Sequence, residues 1–258
     1  MADIRDTNTM VHGEKAATDR QRPLAGHVSV VTGGSRGIGK AIAKRLAELG
    51  SAVSFCGRNR DALQSAAREL AEFSPNILQW EADVRKPEEI STLVRKTEEQ
   101  LGPITVLVNN AGIGYPGFGP VQEKSEEDWD TVLLTNLKGV FLVSREVIPA
   151  MIARRRGDII NISSLAGRNT FAGGALYCAS KWGLQGLSGC MAEDLRAHGI
   201  RVSLVCPGSV ATEFSGQRVK DATKVLAAED VAHAVAMILL QGPSSFISEV
   251  HLRPVAKP

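Results

Sequence analysis

The sequence contains only four cysteines among its 258 residues: Cys56, Cys178, Cys190 and Cys206. They lie far apart, form no C-x-x-C pair, and have no histidine at the spacing of a metal site. This pattern argues against a disulfide framework and a structural zinc site, and no bound metal is expected. Free thiols are typical of a reducing compartment, so we expect a cytoplasmic protein.

Long apolar stretches and a large net charge are also missing. The longest apolar runs, such as 234–240, are far shorter than the roughly 20 residues of a membrane-spanning helix. The 30 basic and 28 acidic side chains give a formal net charge of +2. We therefore expect neither a membrane protein nor a nucleic-acid-binding protein. With 43% hydrophobic residues, this length suits one large domain better than two.

The first segment differs in composition from the rest of the chain. Residues 1–22 are polar and lack the apolar centre and the small-residue cleavage site of a secretion signal. We expect a disordered leader there, and an extra helix or a subunit-contacting arm is the alternative. Residues 23–258 are expected to form a single domain, because no proline- or serine-rich linker and no internal repeat divides them.

From residue 25 onward, short β-branched runs alternate with longer amphipathic stretches, a pattern typical of alternating strands and helices. Strands are predicted at 28–32, 52–56, 77–81, 104–109, 158–163, 201–206 and 246–252, and helices at 37–49, 61–73, 87–101, 126–155, 175–198 and 228–241. Strands that are apolar throughout are buried on both faces. The sequence therefore predicts an α/β fold with a doubly wound, mostly parallel seven-stranded sheet and helices on both faces. Ligands bind such sheets at the carboxyl ends of the strands.

A glycine-rich segment, TGGSRGIG from Thr32 to Gly39, joins the first predicted strand to the first helix. Glycines allow a tight turn and the close approach of a phosphate to the amides of the helix start. The second strand ends at Arg58 without the carboxylate that would bind a ribose 2′-hydroxyl. Arg58, together with Arg36 in the loop, suits a 2′-phosphate, so we expect NADP(H) in preference to NAD. A solvated surface role for Arg58 is the alternative.

Tyr177 and Lys181 form a Y-x-x-x-K pattern on a predicted helix, so the phenol and the ammonium share one face. The ammonium is expected to lower the pKa of the phenol, which can then exchange a proton with a carbonyl oxygen. Ser164 ends the fifth strand, thirteen residues before the tyrosine. Ser163 is its rival, but the two point to opposite faces of the strand. Cys178 is interpreted as a buried small residue.

In these motifs and their order, the sequence resembles the short-chain dehydrogenase/reductase family over roughly residues 24–253. The resemblance implies a Rossmann-type fold and an oxidoreductase that acts on an alcohol or a carbonyl. The motifs that carry it are Thr32 to Gly39, Asp83 with Val84, Asn109 to Gly112, Asn136, Ser164, Tyr177 with Lys181, and Pro207-Gly208 followed by Thr212.

The resemblance also implies roles for single residues. Tyr177 would be the general acid in carbonyl reduction and the base in alcohol oxidation, and Ser164 would hold the substrate oxygen. Lys181 would bind the nicotinamide ribose and lower the Tyr177 pKa, while Asn136 would hold a water of a proton relay. Asp83 and Val84 would lie beside the adenine, and Val210 and Thr212 at the carboxamide. The implied cofactor-binding residues are Gly33, Ser35, Arg36, Gly37, Ile38, Gly39, Arg58, Asp83, Val84, Asn110, Ala111, Gly112, Tyr177, Lys181, Pro207, Gly208, Val210 and Thr212.

Within the family, the sequence is most similar to 3-oxoacyl-(acyl-carrier-protein) reductases, which implies a 3-oxoacyl thioester substrate. Arg154, Arg155 and Arg156 would suit an acidic carrier protein, although His198 stands where such reductases have a second arginine. Favourable charge at a helix end is the alternative explanation of the three arginines. Other open readings are a dehydrogenase of a free ketone, sugar, polyol or steroid-like alcohol, and a non-catalytic NADP(H)-binding regulator. The four intact catalytic residues disfavour the regulator.

Two further expectations concern the substrate side and assembly. The loop at 213–225 is expected to form a lid over the substrate. The resemblance implies that the last strand and the helices at 126–155 and 175–198 build subunit contacts. A homotetramer or a homodimer is therefore expected.

Overall fold

The computed structural model describes residues 22–212, 214 and 224–256. Residues 1–21 of the predicted leader and most of the predicted lid lie outside the described residues. The described residues form seven strands: β1 (Val28–Thr32), β2 (Ala52–Gly57), β3 (Ile77–Glu81), β4 (Val106–Asn109), β5 (Gly157–Ile162), β6 (Ile200–Pro207) and β7 (Glu249–Leu252). The same part of the chain forms seven α-helices: α1 (Gly37–Glu48), α2 (Arg60–Ala71), α3 (Pro87–Leu101), α4 (Glu126–Leu133), α5 (Gly139–Arg154), α6 (Ala175–Arg196) and α7 (Ala228–Leu239).

The strands form one sheet in the order β3-β2-β1-β4-β5-β6-β7, and every pairing is parallel. Strand β1 pairs with β2 on one side and β4 on the other, so the direction of winding reverses there. The helices that follow β1 and β4 cover opposite faces of the sheet, and such a reversal leaves a crevice at the carboxyl edge. The predicted α/β doubly wound fold is confirmed.

Helices cover both faces of the sheet because the strands are apolar on both. One core packs α1, α2 and α7 against the sheet, through residues such as Leu46, Leu70 and Val235. The other core packs α3, α5 and α6 on the opposite face, through residues such as Leu93 and Met151. Both layers hold the strand ends rigidly, which fixes the positions of the loops that build the crevice.

The structure differs from the predicted helix at 126–155. That segment contains α4, a π-helical turn at Leu134–Lys138, and then α5. A π turn adds one residue to a helical turn and redirects the side chains around it. Asn136 lies in this turn and is fully buried. A continuous apolar pattern does not reveal the extra residue, so the sequence predicted one long helix.

Two strands are also shorter than predicted: β4 begins at Val106 and β7 at Glu249. Strand β7 is the edge of the sheet, and its ladder with β6 starts only at the pair Leu204 and Glu249. In the part of the chain that the structure describes, no helix has both the length and the apolar character needed to cross a bilayer. The four cysteines form no disulfide.

Candidate active site

The glycine loop between β1 and α1 has the backbone shape that a diphosphate requires. Gly33 and Gly37 have φ angles of 65° and 53°, which strongly favour glycine. A Cβ atom placed on Gly39 would lie 2.2 Å from the carbonyl oxygen of Gly33. One at Gly37 would lie 3.3 Å from Cγ2 of Thr212, so the loop after β6 reaches this turn. Helix α1 therefore starts close against the loop, and its first amides are available to an anion.

The loop after β4 is bound directly to this turn. The Thr32 hydroxyl accepts hydrogen bonds from the backbone amides of Asn110 and Ala111, each at 3.0 Å. The Asn110 side chain donates to the carbonyl oxygens of Thr32 at 2.9 Å and Gly33 at 3.2 Å. The anchoring role of Thr32 was not predicted from the sequence. Its position as the last residue of β1, just before the glycines, was the available signal.

The end of the crevice beside β2 and β3 carries the charges expected for a 2′-phosphate. Arg58 is exposed directly after β2, and it lines the crevice together with Arg36. Burial tends to raise the pKa of the Asp83 carboxyl, but hydrogen bonds from Arg85 outweigh it, and the Arg58 charge adds to this lowering of the pKa. Val84 is buried next to this carboxyl. Arg58 thus stands where it could reach a 2′-phosphate, and its binding of that group stays a prediction.

Ser164, Tyr177 and Lys181 meet at the carboxyl end of β5. The Ser164 hydroxyl lies close enough to the phenol of Tyr177 to influence its pKa. This hydroxyl accepts the backbone amide of Ala166 at 3.1 Å and donates to the Pro207 carbonyl at 3.5 Å. Lys181 lies one turn along α6 from Tyr177, with Nζ 5.8 Å from the centroid of the phenol ring. Its ammonium donates to the carbonyl oxygen of Ile162 at 3.0 Å. The two hydroxyl-bearing residues therefore border the same cleft, with a buried cation nearby.

The predicted lowering of the Tyr177 pKa is wrong for the chain alone. Burial raises the pKa of this phenol to about 12, although the Ser164 hydroxyl opposes the change. Burial also lowers the pKa of Lys181 to about 8. Desolvation disfavours the charged form of each group, and it is the largest cause of both shifts. The phenol is neutral at pH 7, which is the form that donates a proton.

Asn136 shapes the loop that follows β4. Its Oδ1 accepts the backbone amide of Ile113 at 2.8 Å, while its Nδ2 donates to the Ile113 carbonyl at 2.9 Å and the Ser180 hydroxyl at 3.1 Å. A Cβ atom on Gly112 would lie 3.2 Å from Asn136 Oδ1 and 3.8 Å from Lys181 Nζ. The asparagine and the lysine thus converge beside Gly112, as a relay between them requires. The predicted water relay itself stays a prediction.

One cleft of about 1910 Å³ connects these groups. It is larger than the roughly 300–1,000 Å³ of a typical small-molecule pocket, so it has room for a dinucleotide and a second ligand. Asn136 lies behind the cleft wall. Three aromatic residues of the lining were not predicted from the sequence: Tyr115, Phe118 and Phe171. All the predicted cofactor-binding residues line the cleft: Gly33, Ser35, Arg36, Gly37, Ile38, Gly39, Arg58, Asp83, Val84, Asn110, Ala111, Gly112, Tyr177, Lys181, Pro207, Gly208, Val210 and Thr212.

The two rival residues of the sequence analysis take different positions. Ser163 also reaches the cleft lining, but its hydroxyl accepts a hydrogen bond from Gln185 at 3.3 Å and points away from the phenol. Cys178 is buried, and its thiol faces the Asn169 carbonyl at 3.7 Å. Ser164 is therefore the serine that influences the Tyr177 phenol.

A group of metal-ligating side chains, Cys206, Glu249 and His251, lies beside β7 in the described part of the chain. Glu249 accepts hydrogen bonds from Arg168 at 2.8 Å, His251 at 2.9 Å and the Cys206 thiol at 3.3 Å. Burial raises the pKa of that thiol to about 11, so it stays protonated. These contacts account for the group as a hydrogen-bonded cluster around one carboxylate.

Comparison with known proteins identifies the family. The sequence profile of the short chain dehydrogenases matches residues 27–223. The chain belongs to this family, as the motifs indicated.

Three relatives illustrate the match. The chain is 36% identical to the NADP-dependent 3-hydroxy acid dehydrogenase of Salmonella typhi, over 89% of this chain and 96% of that protein. It is 41% identical to a candidate ketoacyl reductase of Streptomyces coelicolor, over 73% of this chain and 72% of that protein. A crystal structure of a metagenomic short-chain oxidoreductase in complex with NADP superposes with a TM-score of 0.79 at 42% identity, over 91% and 99% of the two chains.

Proposed function

We propose that this protein is an NADP(H)-dependent oxidoreductase that interconverts a carbonyl and a secondary alcohol. The observation that carries the proposal is the meeting of Ser164, Tyr177 and Lys181 in the cleft that the glycine loop borders. A binding module would need the glycine loop and Arg58. It would not need a serine hydroxyl and a phenol side by side in the cleft next to a buried ammonium.

The residues of the cleft suit NADP(H), which supplies the hydride. The amides at the start of α1 bind its diphosphate, and Arg36 and Arg58 bind the 2′-phosphate. Lys181 binds the nicotinamide ribose. The remaining positions flank the adenine, the middle of the cofactor, or the carboxamide: Asp83, Val84, Asn110, Ala111, Gly112, Pro207, Gly208, Val210 and Thr212. The close contacts that a Cβ atom would make at Gly33 and Gly39 support this assignment, because they keep the backbone of the turn free of side chains at those positions.

Proton transfer falls to Tyr177. Its neutral phenol donates a proton to the carbonyl oxygen, and the Ser164 hydroxyl donates a hydrogen bond to the same oxygen. Lys181, with a pKa lowered to about 8 by burial, exchanges protons close to physiological pH. Asn136 holds the loop beside Lys181 and completes the relay that returns a proton from solvent. In alcohol oxidation the same groups work in reverse.

A 3-oxoacyl thioester is the first substrate to test, because a candidate ketoacyl reductase is among the similar proteins. A free 3-hydroxy acid is the second, by similarity to the Salmonella enzyme. Docking of a carrier protein on the three arginines has less support than either substrate, because two of the arginines already have partners within the chain. Arg154 pairs with Glu98 at 3.4 Å, and Arg155 donates to the Ala197 carbonyl at 3.0 Å. Both lie at the amino edge of the sheet, opposite the cleft, so such a carrier would serve the cleft of a neighbouring subunit.

Assembly into a homodimer or homotetramer is part of the proposal. A shallow groove between the π turn, α5 and α6 is lined by Leu133, Leu137 and Phe141. Trp129 and Trp182 are exposed close by. Clusters of large exposed apolar side chains mark contact surfaces. We further place the protein in the cytoplasm and assign residues 23–258 to one domain.

The decisive experiment is an assay of NADPH and NADH oxidation against acetoacetyl thioesters, simple ketones, sugars and quinones, with calorimetric titration of both cofactors. We expect tighter binding of NADPH and its oxidation by at least one carbonyl class. NADPH binding without turnover of any carbonyl, and without alcohol oxidation, would instead indicate a regulator. Turnover of non-thioester ketones alone would exclude the thioester while leaving the chemistry intact.

A further inference from the structure

The cleft beside the Ser164 and Tyr177 hydroxyls is bordered by aromatic rings. The rings of Phe118 and Phe214 flank that of Tyr177, with centroid distances of 5.4 and 5.9 Å. Phe171 stands next to Phe118 at 6.1 Å. We call Phe118, Phe171, Tyr177 and Phe214 the aromatic wall. All four line the cleft, so the reacting phenol is itself part of an apolar surface.

Much of this surface is uncovered. Phe171 is 50% exposed and Phe214 is 41% exposed. Large apolar side chains open to a concave site are typical of ligand contacts, because a ligand that covers them removes apolar surface from water. A flat ring does this best, since aromatic pairs favour offset or edge-to-face packing.

Two glycines let the rings of the wall pack directly against the backbone. A Cβ atom on Gly114 would lie 2.7 Å from Phe118 Cε2 and 2.7 Å from Phe214 Cε1. One on Gly174 would lie 2.7 Å from the ring of Phe171. The rings therefore occupy space that any larger residue would fill, and they rest directly on the backbone. A surface fixed in this way needs little ordering when a ligand binds.

The positive charge next to the wall, on Lys124, already has hydrogen-bond partners. The Lys124 ammonium donates to the backbone carbonyls of Pro116 and Phe118, the second of which belongs to the wall. Apart from Arg36, Arg58 and Lys181, which the proposed function assigns to the cofactor, the cations among the described lining residues are Lys224 and Arg253. A carboxylate substrate would have to reach one of these two.

We infer that the carbonyl substrate carries an apolar aromatic ring on its carbonyl carbon, and that the aromatic wall binds this ring. Such a substrate is an aryl ketone or a 3-aryl-3-oxo ester. The inference rests on the proposed function. The carbonyl carbon accepts a hydride from NADPH and its oxygen accepts the Tyr177 proton, which gives an arylcarbinol and NADP⁺. This deepens the proposed function, because the relatives' names do not define the group next to the carbonyl.

The test compares two esters that differ only in that group: ethyl 3-oxo-3-phenylpropanoate and ethyl 3-oxobutanoate. We expect kcat/KM with NADPH to favour the phenyl ester by on the order of 10- to 100-fold, the range that apolar pocket contacts give. Calorimetric titration of each ester into the NADP⁺-loaded protein gives a second readout, and we expect tighter binding of the phenyl ester. The carboxylate 3-oxobutanoate should be the poorest of the three substrates.

Variants of the wall residues test where the aromatic ring of the substrate binds. Phe171→Ala and Phe214→Ala should each reduce the phenyl-to-methyl ratio of kcat/KM by about 5-fold or more, since each removes a ring from the wall. Val121→Ala truncates an exposed apolar side chain that does not line the cleft, and it should leave the ratio unchanged.

The outcomes separate the inference from the proposed function. Equal or reversed preference between the two esters, or a ratio that neither phenylalanine variant changes, overturns the aromatic substrate and leaves the carbonyl chemistry standing. Preference for 3-oxobutanoate also overturns it and points to Lys224 or Arg253. Failure to reduce any of the three, when NADPH binds and another carbonyl is reduced, overturns the inference and leaves the proposed function standing. Failure with every carbonyl tested counts against the proposed function, and the inference falls with it.

Discussion

Replacing Tyr177 by phenylalanine removes a single oxygen atom from the centre of the candidate site. The ring keeps its place between Phe118 and Phe214, because both contacts are made by the ring and not by the hydroxyl. The Ser164 hydroxyl loses its contact with the phenol but keeps the Ala166 amide and the Pro207 carbonyl as partners. The variant therefore isolates proton donation from packing.

The expected sizes of the two effects differ greatly. The lost polar contact of the phenol should cost no more than the roughly 0.5–1.5 kcal/mol of a typical hydrogen bond, so the variant should fold and melt only slightly earlier. A positioned general acid contributes about 10²- to 10⁴-fold to rate, which corresponds to about 3–5 kcal/mol of barrier at 1.36 kcal/mol per tenfold. The loss should appear in kcat, since the phenol acts on the reacting oxygen.

Three measurements on wild type and variant test this reasoning: kcat with a carbonyl substrate, the dissociation constant of NADPH, and the midpoint of urea unfolding. We expect kcat to fall at least about 100-fold and the other two to change little. Ser164→Ala serves as the comparison, because it removes the other hydroxyl of the pair and should also lower kcat while NADPH still binds. A variant that keeps a tenth or more of wild-type kcat would refute the assignment of Tyr177 as proton donor.

Three further predictions follow from the cofactor end of the cleft and the buried lysine. Arg58→Ala should weaken NADPH binding by about 10- to 100-fold, as expected for the loss of one charged hydrogen-bonding group, and leave the affinity for NADH unchanged. The control is Arg60→Ala, because the Arg60 guanidinium pairs with Glu81 at 2.9 Å outside the cleft. Equal effects of the two variants on NADPH binding in calorimetry would contradict the 2′-phosphate role of Arg58. Gly39→Ala should destabilise the fold by about 1–3 kcal/mol or more, because the new Cβ meets a backbone oxygen. Gly186 has open space around it in α6, so Gly186→Ala should be neutral or stabilising. Urea unfolding of both variants measures the difference. The pKa of Lys181 is lowered from 10.5 to about 8 in the folded chain, so between these pH values the unfolded chain binds more protons than the folded one. The free energy of unfolding of the cofactor-free wild type, measured relative to Lys181→Met, should therefore rise as pH rises from 8 toward 10. A difference in urea unfolding that stays flat or falls over this range would disprove the lowered pKa.

The sequence alone determined the sheet and its helical layers. Apolar runs that are hydrophobic on every face can be satisfied only by helices on both sides of a parallel sheet, so the pattern was sufficient. The glycine turn was equally local, because Gly33, Gly37 and Gly39 are required by the backbone of one short loop. Tyr177 and Lys181 share a helix face through helical periodicity alone, and the spacing predicted that correctly.

Tertiary structure decided what depends on groups distant in sequence. The Tyr177 pKa rises because the surrounding fold excludes water from the phenol, and a motif on one helix carries no information about that burial. The π turn that buries Asn136 has no signature in a continuous apolar pattern. The aromatic wall joins rings from three separate loops and one helix, so only the folded chain shows that the proton donor stands within an apolar surface.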